Sequence, residues 1–124
     1  MIDKFDIFKV EVYPPHFILI PQGSTLQYLY SNVQVESNKV LNLFKSPEYK
    51  NVIIDLSRVE YLDSIIITSI IRLVQSANQS GGHAVFCNAC ENMQQILKCI
   101  KVGTYWPLFD TREDALAAIS PDSA

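Results

Sequence analysis

Glycine is scarce in this chain, with four among 124 residues. No glycine-rich phosphate loop or dinucleotide fingerprint can be assembled from them. Histidine is scarcer, at two. His16 and His83 each stand beside an expected strand and outside any motif, so no Ser-His-Asp arrangement can be drawn. Basic clusters are missing, and the formal net charge is −3, which argues against nonspecific nucleic-acid binding. The longest apolar stretch, residues 65–74, contains Thr68, Ser69 and Arg72. It is too short and too polar to span a bilayer. The opening MIDKFDIF carries two acids and no apolar run of the secretory kind. Cysteines number three. An odd count cannot pair fully inside one chain and fits reduced thiols. These absences lead us to expect a soluble cytoplasmic protein with no enzymatic activity, no cofactor, no metal, no nucleic-acid partner and no membrane contact.

What is present is ordinary globular material: 48% hydrophobic and 19% charged residues. That suits one domain over 1–124, with its core over about 8–119. Residues 8–13 (FKVEVY) alternate as a strand does, and 16–20 (HFILI) follow as a second strand across Pro14-Pro15, suggesting a hairpin. Ser24 or Thr25 is a helix-capping candidate, and apolar positions from Leu26 to Phe44 recur at helical spacing. Val52, Ile53 and Ile54 read as a buried central strand. A second helix runs from Ser64 to about Asn78 and stops at Gly81-Gly82. Residues 84–87 (AVFC) form the next strand, and 91–100 a short helix with Met93, Ile96, Leu97 and Ile100 inward. A last short strand over 105–109 precedes a helix over 111–119 that opens on a capping box, Thr111-Arg112-Glu113-Asp114. The order β β α β α β α β α implies a mostly parallel sheet, with one antiparallel pair from the hairpin.

Three groups of residues carry possible chemistry. Asp63-Ser64 stands where the second helix begins. A phosphate there would meet free backbone N–H groups and the positive end of the helix dipole. The same pair could serve only as a cap. Asp55 ends the central strand, where acidic residues of doubly wound folds often face a ligand. The acidic pair that a phosphate-receiver domain carries near its first strand is missing, so we expect Asp55 to bind backbone groups in a turn. Cys87-Asn88-Ala89-Cys90 has redox or metal spacing but follows a late strand, and only Cys99 and His83 are at hand as extra ligands. Partly buried structural thiols are the expectation. Among the aromatics, Tyr61 and Tyr105-Trp106 are candidates for an exposed partner surface.

The run Val52-Ile53-Ile54-Asp55-Leu56-Ser57, then Leu62-Asp63-Ser64, then Gly81-Gly82 before the strand at 84–87, resembles the STAS domain. That family includes anti-sigma-factor antagonists and sulfate transporter tails, and the resemblance extends over about residues 8–119. It implies a mixed, mostly parallel α/β sheet with about four helices. Ile100-Lys101-Val102 sits where the family has a Ser-Gly-Leu turn. In antagonists of this family the serine after the aspartate is phosphorylated by a partner kinase, itself the anti-sigma factor. Ser64 is that serine by position, and Asp63 precedes it. The resemblance therefore implies a regulatory protein of bacterial signal transduction and transcription control. It would bind an anti-sigma factor, a serine kinase or a scaffold complex through Ser24, Thr25, Tyr61, Asp63, Ser64 and Ile65.

Two departures stand out. The family's loop aspartate falls near Thr25, and the common Asp-Ser-Ser-Gly reads Asp63-Ser64-Ile65-Ile66 here. Stressosome scaffold members also carry a large residue after the serine. The alternatives are an adaptor that is never phosphorylated and a small-ligand module, for a nucleotide or lipid-related molecule, at the strand ends.

Overall fold

The computed structural model describes residues 7–22, 30–62, 64–100 and 106–119. The five strands are β1 (Phe8–Tyr13), β2 (His16–Pro21), β3 (Asn51–Asp55), β4 (Ala84–Cys87) and β5 (Leu108–Phe109), and the helices α1 (Tyr30–Phe44), α2 (Ser64–Gln79), α3 (Glu91–Cys99) and α4 (Arg112–Ile119) lie between and after them. They form one sheet in the order β1-β2-β3-β4-β5. β1 and β2 pair antiparallel, Tyr13 facing His16 across the cis Pro14-Pro15 turn, and the remaining pairs are parallel. The order of elements and the mixed sheet are those anticipated from the sequence. The last strand is shorter than the expected 105–109, and the third helix closes at Cys99.

Pleating splits the strand residues between two layers. Phe17, Leu19, Val52, Ile54, Ala84 and Phe86 face one way and meet Val33, Val40, Ile66, Ile70, Leu73, Val74, Met93 and Leu97 from α1, α2 and α3. Phe17 anchors this layer edge-on to Phe44 and Tyr49, with ring centroids 5.5 and 5.3 Å apart. Ile18, Ile20, Ile53, Val85 and Cys87 face the other way, onto Ala115 and Ile119 of α4. Three helices therefore cover one face and one helix the other.

Local chemistry sets the element ends. α2 closes in a full Schellman motif: the Gly82 N–H donates to the Ala77 carbonyl at 2.9 Å, the Gly81 N–H to the Asn78 carbonyl at 3.1 Å, and Gly81 has φ +85°, the left-handed region that favours glycine. Gly82 is needed for a different reason, since a Cβ there would collide with the Lys50 carbonyl at the start of β3. α4 is capped by Thr111, whose Oγ1 accepts the Asp114 N–H at 3.1 Å. Glu36 of α1 is buried, and its Oε1 accepts the N–H groups of Ile7 and Phe8 at 2.7 and 2.8 Å, tying the entry to β1 to the helical layer.

Candidate functional site

The segment joining β3 to α2 is short and anchored by its apolar residues. Leu56, Val59 and Leu62 are all buried in the helical-side core, while Glu60 and Tyr61 between them point out. Tyr61 is 57% exposed, a large side chain left in water. The Leu56 N–H donates to the Cys87 carbonyl at 3.0 Å, and the Val59 N–H to the Leu56 carbonyl at 3.3 Å. The Cys90 thiol, at the N-terminus of α3, lies 3.8 Å from the Val59 carbonyl oxygen. Buried anchors and backbone bonds together hold the residues leading up to Ser64.

Ser64 is the first residue of α2 and is exposed. Its carbonyl accepts the Thr68 hydroxyl at 2.7 Å, and the Ile65 carbonyl accepts the Ser69 hydroxyl at 3.3 Å. No acidic side chain stands in the first turn of α2, so the partial positive charge of that helix end is not countered from within the helix. Ile66 is wholly buried, and Ile65 is half-buried against the same core. The bulk that replaces Ser-Gly at these positions is thus directed largely into the core. Of the other residues expected at a partner surface, Ser24, Thr25, Asp63 and Tyr105 lie outside the described residues.

Asp55 is more than a turn former. Its Oδ1 accepts the Ser57 N–H at 3.0 Å, as expected, and also the Asn88 amide at 3.1 Å. Its Oδ2 accepts both Nε and Nη2 of Arg112, at 3.0 and 2.8 Å. Arg112 Nη2 also reaches Glu11 on β1 at 2.8 Å. Burial alone would raise the Asp55 pKa. The bonds from Ser57, Arg112 and Asn88 outweigh it and hold the carboxyl below its ordinary range. Burial would likewise lower Arg112, but Asp55 and Glu11 reverse that and raise it. Asn88 sits at φ 59°, a left-handed conformation that asparagine tolerates. Asp55 therefore ties the segment before Ser64, the β4–α3 connection and α4 to one carboxylate. Arg112 stands 57 residues from Asp55, and in the sequence it figures only as a member of the capping box that opens with Thr111.

The three cysteines are free thiols in different surroundings. Cys87 is buried, Cys90 half-buried and Cys99 exposed. Burial first, then the charge of Asp55, pushes the Cys87 thiol up to about 12, far from the thiolate range that reactivity needs. Among the described residues no group of three or more His, Cys, Asp or Glu could hold a metal ion, and no helix is long and apolar enough to cross a membrane. An open cavity of about 230 Å³ lies by the amino-terminal ends of β4 and β5, lined by His83, Trp106, Phe109 and Ile119 among others. It is at the other end of the sheet from the segment that leads to Ser64.

The fold matches solved structures closely. The Thermotoga maritima protein TM1081, solved by NMR, superposes with a TM-score of 0.78 at 20% identity, covering 98% of this chain and 94% of that one. An anti-sigma-factor antagonist (STAS) domain protein from Planctomyces limnophilus gives 0.73 at 20% identity, covering 91% and 97%. The Bacillus cell fate determinant SpoIIAA, in its phosphorylated form, gives 0.69 at 17% identity, covering 90% and 98%. No curated protein matches by sequence. The family model of the STAS domain matches residues 9–115, nearly the whole of the described sheet and helices, and the chain belongs to the STAS domain family.

Proposed function

We propose that this chain is a non-catalytic regulatory protein of the anti-sigma-factor-antagonist kind, whose partner-binding face centres on Ser64 and is switched by phosphorylation there. The observation that carries the reading is the placement of Ser64. It is exposed, it opens α2, and it follows a segment pinned by three buried side chains. A phosphate on it adds about −1.5 to −2 charges. The helix end tolerates that charge within this fold. A partner surface packed against it does not, because an anion in a dry contact costs desolvation and repels acidic groups unless an arginine receives it. Phosphorylation then weakens the complex without unfolding the domain. Tyr61 supplies the aromatic anchor beside the switch. The partner is a protein, an anti-sigma factor with serine kinase activity or a scaffold assembly.

Relatives lend support. SpoIIAA has been solved in phosphorylated and unphosphorylated forms, and a stressosome structure shares the fold. The competing reading is an adaptor whose Ser64 is never modified, and Ile65-Ile66 in place of the small pair is the feature in its favour. Partner capture separates the two. Protein carrying Ser64→Asp should lose its partner by at least about tenfold in affinity, roughly 1.4 kcal/mol, while Ser64→Ala keeps it. A partner retained equally by both variants favours the adaptor.

A further inference from the structure

β1 is one edge of the sheet, and among the described residues no strand pairs with its outer side. Open edges are sites of strand addition unless they are shortened, bulged, charged, interrupted by proline or covered, and the protective device that β1 shows is its two charges, Lys9 and Glu11. β1 is six residues long, has no proline, and pairs with β2 in unbroken register from Phe8 to Tyr13. Antiparallel ladders alternate the direction of their backbone groups. The Gln22 N–H donates to the Ile7 carbonyl, so the odd-numbered residues of β1 turn their backbone groups to β2. Those of Phe8, Val10 and Val12 point away. The Phe8 N–H is taken by Glu36, which leaves the groups of Val10 and Val12 and the Phe8 carbonyl along the edge.

We propose that this edge pairs antiparallel with β1 of a second copy of the chain, about a two-fold axis through Val10. Charge selects both the occupant and the register. Lys9 and Glu11 stand on the face of the sheet that carries α4. Glu11 and Asp55 share one guanidinium, Arg112, at 2.8 Å each, so two carboxylates answer to one cation. Pairing centred on Val10 sets Lys9 of each copy directly opposite Glu11 of the other, and supplies the second cation twice. Centring on Lys9 or on Glu11 sets like charges face to face, which destabilises directly opposed pairs. Centring on Val12 leaves Lys9 without a strand residue opposite. On the helical-side face the same register lays Val10 on Val10 and Phe8 on Val12, joining the half-buried Val10 and Val12 of both copies in one apolar stripe. The axis lies at the opposite edge from β5 and away from α2, so this pairing does not depend on Ser64 being a switch.

A single six-residue strand pair is a small contact, below the roughly 1,200 Å² of standard interfaces. The dimer is accordingly concentration-dependent and weakened by salt. Sedimentation velocity on the full chain, from about 10 µM to about 1 mM at low ionic strength, should show a monomer shifting to a dimer. Lys9→Glu and Glu11→Lys should each raise the dissociation constant by about tenfold or more. An equimolar mixture of the two variants should associate again, because every introduced charge then faces its opposite. Val10→Pro, which removes the outward N–H at the axis, should abolish the dimer in a chain that still melts cooperatively, and it stands in if Glu11→Lys fails to fold beside Arg112. A chain that stays monomeric throughout overturns the proposal. So does a dimer indifferent to both Lys9→Glu and Val10→Pro, or a mixture of two folded variants that fails to associate.

Discussion

The two faces of the sheet are built on different principles. The face under α1, α2 and α3 is a continuous apolar layer, in which Phe17, Ile54, Ile66, Val74 and Met93 are all essentially without solvent exposure. The face under α4 has a smaller apolar patch around Ile18, Ile53 and Val85, and beside it the charged clasp Glu11–Arg112–Asp55. One face gains stability by removing apolar area from water, in proportion to that area and without regard to direction. The other places one short helix by directional bonds from a guanidinium fork to a carboxylate. The candidate switch sits on the apolar side, at the end of a segment that the clasp also holds through the Ser57 N–H.

Deleting apolar volume should be the most costly way to disturb this balance. Ile66→Ala removes a fully buried side chain directly beneath the first turn of α2 and should destabilise by about 2–4 kcal/mol, read by urea denaturation with an unchanged slope. Breaking the clasp comes next. Arg112→Ala leaves Asp55 buried with only Ser57 and Asn88 as donors, and should cost about 2–3 kcal/mol.

Acid should reveal the same contribution in the unaltered protein. Because the folded state depresses the Asp55 pKa, its contribution is fully present above the unfolded value of about 3.9 and is lost as pH falls through the lower folded value. Melting temperature should therefore drop below about pH 4, and Asp55→Asn should flatten that part of the profile. The smallest effect belongs to the cap of α4. Thr111→Ala removes the acceptor of the Asp114 N–H and should cost about 1 kcal/mol. If Arg112→Ala cost less than Thr111→Ala, the clasp would be ornamental and the contrast between the faces would fail.

The difference between the faces also explains what could be read from the chain. Periodicity places every strand and helix in order because apolar burial repeats at the period of the element that performs it: FKVEVY alternates, while Ile66, Ile70, Leu73, Val74 and Ala77 step along one helix face. Gly81-Gly82 announces the end of α2 because only that chemistry closes a Schellman turn beside the Lys50 carbonyl. Asp55 as a turn former is local and legible; its pairing with Arg112 and Glu11 is not. Nothing in the neighbourhood of Arg112 distinguishes it from any exposed first-turn residue, since the pairing exists only once β1, β3 and α4 are assembled. The exposure of Ser64 is of the same kind. Its position at a helix start is written in Leu62-Asp63-Ser64, but whether it faces water depends on the burial of Leu62 and Ile66 on either side.

The claim that Ser64 is a switch is tested most directly by peptide mass spectrometry on protein recovered from its own host with phosphatase inhibitors present. A switch at Ser64 yields a species heavier by about 80 Da, the mass of an added phosphoryl group, mapped to Ser64 and absent from Ser64→Ala protein. A Ser64 that stays unmodified across growth conditions, in protein that still holds its partner, would contradict it and leave the domain a constitutive adaptor.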